Sequence, residues 1–330
     1  MFEMRRRDFG SLVCGAAIVL PRSLRAQQPA RPEIGFLSSR SATVDATLLT
    51  AFHKGLAGLG FVEGRDVTIA YRWAEGRYDQ LPALAAELVA RPVAVLVSTG
   101  GTVAARAAKA ATQTIPIVFT TAGDPVAAGL VESLARPGGN LTGITASFIE
   151  AAAKRMELLH ELLPKASTIG FLVNPANPAA ISESDEIRVA AGTLGQRIEV
   201  VSAMNAREIE VAFDRLRALR ADALLVAADP FFFARTDQLV AAAARQAIPT
   251  LYFRREFADA GGLISFGSNF PELFRVVGQY AGQILRGAHP SDLPVQRPSR
   301  FELVINLRTA SALGLAIPPI LPARADAVIE

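Results

Sequence analysis

The chain has 330 residues, 51% hydrophobic and 20% charged, which supplies a large buried core, makes two domains the expectation and excludes global disorder. Its formal charge of +3 belongs to the first 26 residues, which hold five of the 34 Lys and Arg but only two of the 31 Asp and Glu, so charge gives no reason to expect a nucleic-acid partner. The single cysteine, Cys14, lies in the same segment, and the remainder therefore excludes disulfides, cysteine zinc ligands and a cysteine nucleophile.

In chain order, Arg5-Arg6-Arg7 precede the apolar stretch Gly10 to Leu20, and Ala26 closes it, the layout of an export signal over residues 1–26. Arg6-Arg7-Asp8-Phe9 fits the R-R-x-F core of a twin-arginine signal. An amphipathic helix or an uncleaved anchor is the alternative. Beyond it, no run reaches the roughly eighteen apolar residues of a membrane span. Strands are expected near 34–38, 67–72, 93–98 and 116–119. Helices fall between them, such as Val44 to Leu59, where Leu48, Leu49, Phe52, Leu56 and Leu59 recur at helical spacing. The turn Arg136-Pro137-Gly138-Gly139-Asn140 and a short strand lead onward. Further strands are expected near 168–173, 198–202, 222–227 and 249–252, with an Ala-rich helix over Gln238 to Gln246. A strand in Gly261 to Asn269, a helix over Leu273 to Arg286, a Pro-rich connector (His289 to Pro298), a strand over Phe301 to Ile305 and a terminal helix complete the chain.

Self-comparison finds a duplicated block. "EIGFLSS" (from Glu33) is echoed by "TIGFLVN" (from Thr168), and "PVAVLVSTG" (from Pro92) by "ADALLVAAD" (from Ala221). "AAKAATQTIPIVFT" (from Ala107) is echoed by "AAARQAIPTLYF" (from Ala242), at a spacing of about 130 residues. Alternating short strands and helices predict an α/β fold: two Rossmann-like lobes with parallel sheets, joined by several hinge crossings. The expected division is 30–140 plus about 253–290 for one lobe, and 141–252 plus about 291–330 for the other.

Ligands of open α/β sheets gather at the carboxyl ends of strands. The candidates there are Ser38-Ser39, Ser98-Thr99-Gly100-Gly101, Thr120-Thr121 and Asp124 in the first block, then Asn174, Asp229 and Tyr252 in the second. No phosphate-loop lysine and no G-x-G-x-x-G accompanies the Ser98 stretch, so a nucleotide loop is excluded; hydroxyls and glycine amides there suit a carboxylate, or simply cap a helix. Asp124 and Asp229 each precede a proline, which fits helix capping or reception of a ligand ammonium. The aromatic run Phe231-Phe232-Phe233 and Trp73 are core or ligand walls. His53, His160 and His289 fall in expected helices and a connector, which leaves no catalytic triad, and no histidine pair has metal-ligand spacing.

The stretch "STGGTVAARAAKAATQTIPIVFTTAGDPVAAGLVESLARPGGNLTGIT", with "ALLVAADPFFFARTDQLVAAAARQAIPTLY", "REFADAGGLISFG" and "RPSRFELVINLRTASALGL", resembles ABC-transporter substrate-binding proteins of the tryptophan/tyrosine-uptake type. The resemblance spans nearly the whole chain. It implies a type I periplasmic-binding-protein fold: a monomer that is exported to the periplasm, closes over a small solute and delivers it to a membrane permease, with no cofactor, metal, nucleic acid or catalysis. Characterised members bind aromatic amino acids; a sensory binding protein reporting to a membrane partner is the alternative. Carried over by position, the implied ligand shell is Ser98, Thr99, Gly100, Thr120, Thr121, Asp124, Asn174, Asp229 and Tyr252, with Ser268 at a hinge crossing. Two departures bear on the ligand: Phe266 replaces the usual tyrosine, and "PANPAA" after Asn174 lacks an acidic residue.

Overall fold

Two sheets built on one plan make up the protein in a computed structural model that describes residues 31–330; the export signal expected over 1–26 lies outside the described residues. The first sheet comes from β1 (Glu33–Ser38), α1 (Ala46–Ala57), β2 (Thr68–Trp73), α2 (Leu81–Val89), β3 (Val93–Thr99), α3 (Thr102–Ala111), β4 (Ile117–Thr121) and β5 (Leu141–Thr145). There follow α4 (Phe148–Leu162), β6 (Thr168–Val173), α5 (Ala179–Thr193), β7 (Arg197–Ser202), α6 (Ala206–Ala218), β8 (Ala223–Val226), α7 (Pro230–Phe233) and α8 (Thr236–Arg245). The chain ends with β9 (Thr250–Tyr252), α9 (Arg255–Asp259), β10 (Ile264–Ser268), α10 (Phe270–Leu285), β11 (Phe301–Asn306), α11 (Leu307–Ala312), α12 (Ile320–Arg324) and β12 (Ala327–Ile329).

The first sheet has the order β2-β1-β3-β4-β5, and the second β7-β6-β8-β9-β10-β11-β12. The first five positions repeat the same winding, which is the duplication seen in sequence. Every pairing is parallel except β10 with β11. Central strands such as β4 and β6 are buried along their whole length, as sheets covered by helices on both faces require. Residues 32–330 form one compact unit.

The boundaries differ in detail from those expected. Residues 141–145 form β5, the edge of the first sheet, rather than opening the second lobe. Of the segment 253–290, β10 belongs to the second sheet and only α10 packs on the first. That docking depends on glycine: a Cβ on Gly55 would stand 1.9 Å from the Arg275 carbonyl oxygen, and one on Gly278 2.1 Å from that of Phe52. Helix α10 thus lies directly on α1 and delivers its amino end to the space between the sheets.

Three crossings join the halves side by side. Ser147, in the left-handed region at φ 51°, turns the chain from β5 into α4. Ser268 donates from its hydroxyl to the Ala146 carbonyl at 2.6 Å, tying the second crossing to the first. Gln296 exchanges backbone hydrogen bonds with Gly143 and Thr145, at 3.0 and 2.9 Å, and laces in the third.

Candidate functional site

The strand ends of both sheets face one cavity. From the first half come Arg40, Gly101, Thr120, Thr121, Ile144 and Ala146; α10 adds Phe270, Leu273 and Phe274. From the second come Phe148, Asp229, Pro230, Phe233, Phe253 and Arg254. Five phenyl rings stand in the walls, three of them in contact: Phe148 stacks on Phe270 at 5.6 Å and meets Phe253 edge-on at 5.4 Å. Aromatic walls with a few polar groups are the usual lining of a small-molecule site.

Asp229 is the buried carboxylate in the lining, and it is fully engaged. It accepts from the Asn174 amide (3.1 Å), the Asn177 amide (2.9 Å), the Phe231 and Phe232 backbone N–H groups (2.8 and 3.3 Å) and the Tyr78 hydroxyl (3.2 Å). The two backbone contacts cap α7, as an Asp before a proline does well. Burial raises the Asp229 pKa above the usual carboxyl value, while the four amide donors pull it down. Tyr78 belongs to the first half, so its hydroxyl bridges the two halves behind Asp229's place in the lining. It also accepts from the Phe231 N–H at 3.1 Å. Burial, then the neighbouring Asp229, pushes the Tyr78 phenol well above its ordinary pKa, which keeps it a donor. A Cβ on Gly101 would lie 3.4 Å from the Pro230 ring, a second close approach between the halves.

Of the ten residues expected to form the site, Thr120, Thr121 and Asp229 line the cavity. Asn174 stands behind Asp229 and holds it. Ser98 and Thr99 end β3 fully buried, with hydroxyls that meet no hydrogen-bond partner, and neither lines the cavity. Gly100 has φ +89°, and a Cβ there would sit 2.2 Å from the Ser39 hydroxyl; it keeps β3 against β1. Ser268 ties the crossings together. Two placements differ outright. Asp124 is exposed and begins a turn rather than a helix, its carboxylate accepting from the Val126 N–H at 2.7 Å. Tyr252 points away from the cavity, stacked on Phe257 at 4.6 Å, with its ring where a Gly262 Cβ would collide. Phe266, the departure from the family pattern, stacks on Phe301 away from the cavity. Trp73 belongs to the Phe36–Tyr71 cluster in the first core. None of the three histidines lines the cavity, and no group of three or more His, Cys, Asp or Glu among the described residues is placed to hold a metal.

Sequence reasoning missed the cavity's two arginines. Arg40 follows β1, is buried, and pairs with the buried Asp45 through Nε and Nη2. Arg254 follows β9, pairs with Glu256 through the same two nitrogens, and is sandwiched between Phe233 and Phe270 at 3.7 and 3.8 Å. Such stacking suits a guanidinium removed from water. Burial lowers the Arg254 pKa and the Arg40 charge lowers it further, against the pull of Glu256. Signals existed: each arginine sits two residues beyond a strand's carboxyl end, where ligands of such sheets gather. Asn177, also missed, is in the "PANPAA" segment.

A family model described as ABC transporter substrate binding protein matches residues 42–329. A tyrosine-binding protein of Clostridioides difficile (strain R20291) is 28% identical over 264 residues, 80% of this chain and 75% of that protein. Among solved structures, the ABC domain in complex with L-Trp from Streptococcus pneumonia superposes with a TM-score of 0.81 at 27% identity, covering 90% of this chain and all of that one. The ligand-free, open structure of a substrate-binding protein with adhesive properties from Clostridium difficile reaches 0.66 at 26% identity, covering 91% and 99%. At matched identity and coverage, the arrangement is nearer to the Trp-bound structure than to the open one, in line with the Tyr78–Asp229 bridge.

Proposed function

The chain belongs to the ABC transporter substrate-binding protein family, and we propose that it is a periplasmic carrier that closes over a small aromatic, amino-acid-like solute and delivers it to a membrane permease. The observation that carries this reading is the cavity with phenyl rings in its walls between two duplicated sheets, whose halves are bridged by the Tyr78–Asp229 hydrogen bond. Rings on both sides supply the apolar burial that an aromatic body of the solute requires. Thr120 and Thr121 supply hydroxyls, and Arg40 and Arg254 supply charge. All these groups come from one chain, so a monomer is a complete binding unit. The relatives named for tyrosine and L-Trp support the aromatic choice. Export is supported by the R-R-x-F segment, and no helix among the described residues is long and apolar enough to cross a membrane.

Thermal unfolding of the purified protein against a panel of aromatic solutes tests the reading. A true ligand at about 100 times its Kd adds about 2.7 kcal/mol of stability. If no aromatic solute raises the Tm and scattering profiles are identical with and without each, the small-solute reading is wrong.

A further inference from the structure

The carboxylates around the cavity are already spoken for. Asp45 receives Arg40 through both oxygens and the Ser38 hydroxyl as well. Glu256 receives Arg254 through both oxygens. Asp229 accepts from five donor groups, more than the roughly four lone-pair sites of a carboxylate accommodate at once. An α-ammonium group entering this space would have to displace one of these partners before it gained an acceptor.

Donors, by contrast, remain open. Arg40 and Arg254 use Nε and Nη2 in their ion pairs, and Nη1 of each has no hydrogen-bond partner among the described residues. Both side chains are more than nine-tenths buried, and both line the cavity. They are close enough to repel each other, a repulsion that a shared anion relieves. The Thr120 hydroxyl in the same wall is also without a partner. Three helices, α3, α4 and α10, begin at cavity residues: Gly101, Phe148 and Phe270. Each amino end carries roughly half a positive charge. The two ion pairs cancel, and the amino ends of α3 and α4, neither with a side-chain cap and that of α3 with no acidic residue in its first turn, stand against the single negative charge of Asp229. The field in the cavity favours an anion.

We propose that the preferred solute is an aromatic monocarboxylate without an α-ammonium group, its ring among Phe148, Phe253 and Phe270 and its carboxylate shared by Arg40, Arg254 and Thr120. The inference rests on the reading of the cleft as an aromatic-solute site, and it differs from that reading in predicting that an amino group weakens binding.

Isothermal titration of the full protein with matched probes tests it: 3-phenylpropanoate, L-phenylalanine and phenethylamine, with the 4-hydroxyphenyl and indole counterparts to cover ring size. The des-amino acid of at least one series is expected to bind tenfold or more tightly than its amino acid, and the amines not at all. Amino acids binding as tightly as their des-amino partners would overturn the inference and leave the aromatic-solute reading standing. Silence from every carboxylate and amino acid would overturn both. Arg254→Gln should weaken the des-amino ligand at least tenfold while far-UV circular dichroism stays native. An unchanged affinity in a folded Arg254→Gln would remove the guanidinium from the site and sink the inference. Should that variant misfold, the titrations on the unmodified chain decide alone.

Discussion

The carboxyl ends of β3 and β8 occupy equivalent places in the duplicated block, about 130 residues apart, yet their hydrogen-bonding states are opposite. At β8, Asp229 is held by two asparagines, two backbone amides and a tyrosine. Beneath it, Glu183 accepts from the Ala228 N–H at 3.1 Å and pairs with Arg155, which in turn donates to the Val226 carbonyl at 3.2 Å. At β3, Ser98 and Thr99 keep buried hydroxyls with no partner, and α3 starts without a side-chain cap. The contrast separates two kinds of polar surface in one fold. The second half presents a strand end completed by its own chain. The first leaves buried hydroxyls unsatisfied at a strand end that stands back from the cavity lining.

The largest way to break the contrast is to remove the support under β8. Glu183→Ala strands a fully buried Arg155 and frees the Ala228 N–H, and urea unfolding should show a loss of about 3–5 kcal/mol. A loss under about 1 kcal/mol would mean that Arg155 finds other acceptors and that the β8 end is not built on this pair. Next is Asp229 itself. Asp229→Ala uncaps α7 and leaves Asn174 and Asn177 without their acceptor, at a cost of about 2–3 kcal/mol. Its titration has a defined sign. Burial raises the folded-state pKa, so folding favours the protonated carboxyl. The stability from this group is full below the ordinary carboxyl pKa and is lost as pH rises through the raised one. Wild type should therefore gain on Asp229→Asn as the pH falls from neutral toward about 4, followed by Tm of both. A difference that is flat with pH would place the Asp229 pKa at its ordinary value.

Tyr78→Phe probes the bridge between the halves. It removes one hydroxyl from Asp229, a bond of about 1–2 kcal/mol, without touching either core. The expected readout is a wider scattering profile in the absence of solute, with affinity reduced about tenfold because the closed form is less populated. Unchanged scattering and affinity would show that closure does not depend on this contact.

Much of the architecture was legible because duplication leaves a periodic trace: the strand echoes predicted two equivalent sheets, and the sheets have the same internal order. What sequence could not show is where the chain crosses. β10 joins the second sheet while α10 returns to the first, because Gly55 and Gly278 let two helix backbones touch, and no local pattern announces a pairing more than two hundred residues apart. Phe270 and Phe274 reach the cavity through that return, so they escaped a search of strand ends. Tyr252 shows the opposite error. It sits at a strand end, as the rule asks, but the pleat turns its ring toward Phe257 and the second core.

The smallest perturbation is the most discriminating at β3. Thr99→Val replaces a buried, unpartnered hydroxyl by a methyl of nearly the same shape. A hydroxyl that makes no bond in the folded state gives up its hydration for nothing, so its removal should leave stability unchanged within about 0.5 kcal/mol or raise it. The substitution that is costly at a satisfied threonine is thus harmless or beneficial here, and the contrast with Asp229→Ala measures the difference between the two strand ends directly. Because Thr99 does not line the cavity, affinity for the solute should also stay within about twofold, well below the tenfold that 1.4 kcal/mol represents. A tenfold loss of affinity with stability intact would show that the β3 end reaches the solute, and would extend the anion-binding surface from the arginines into the strand itself.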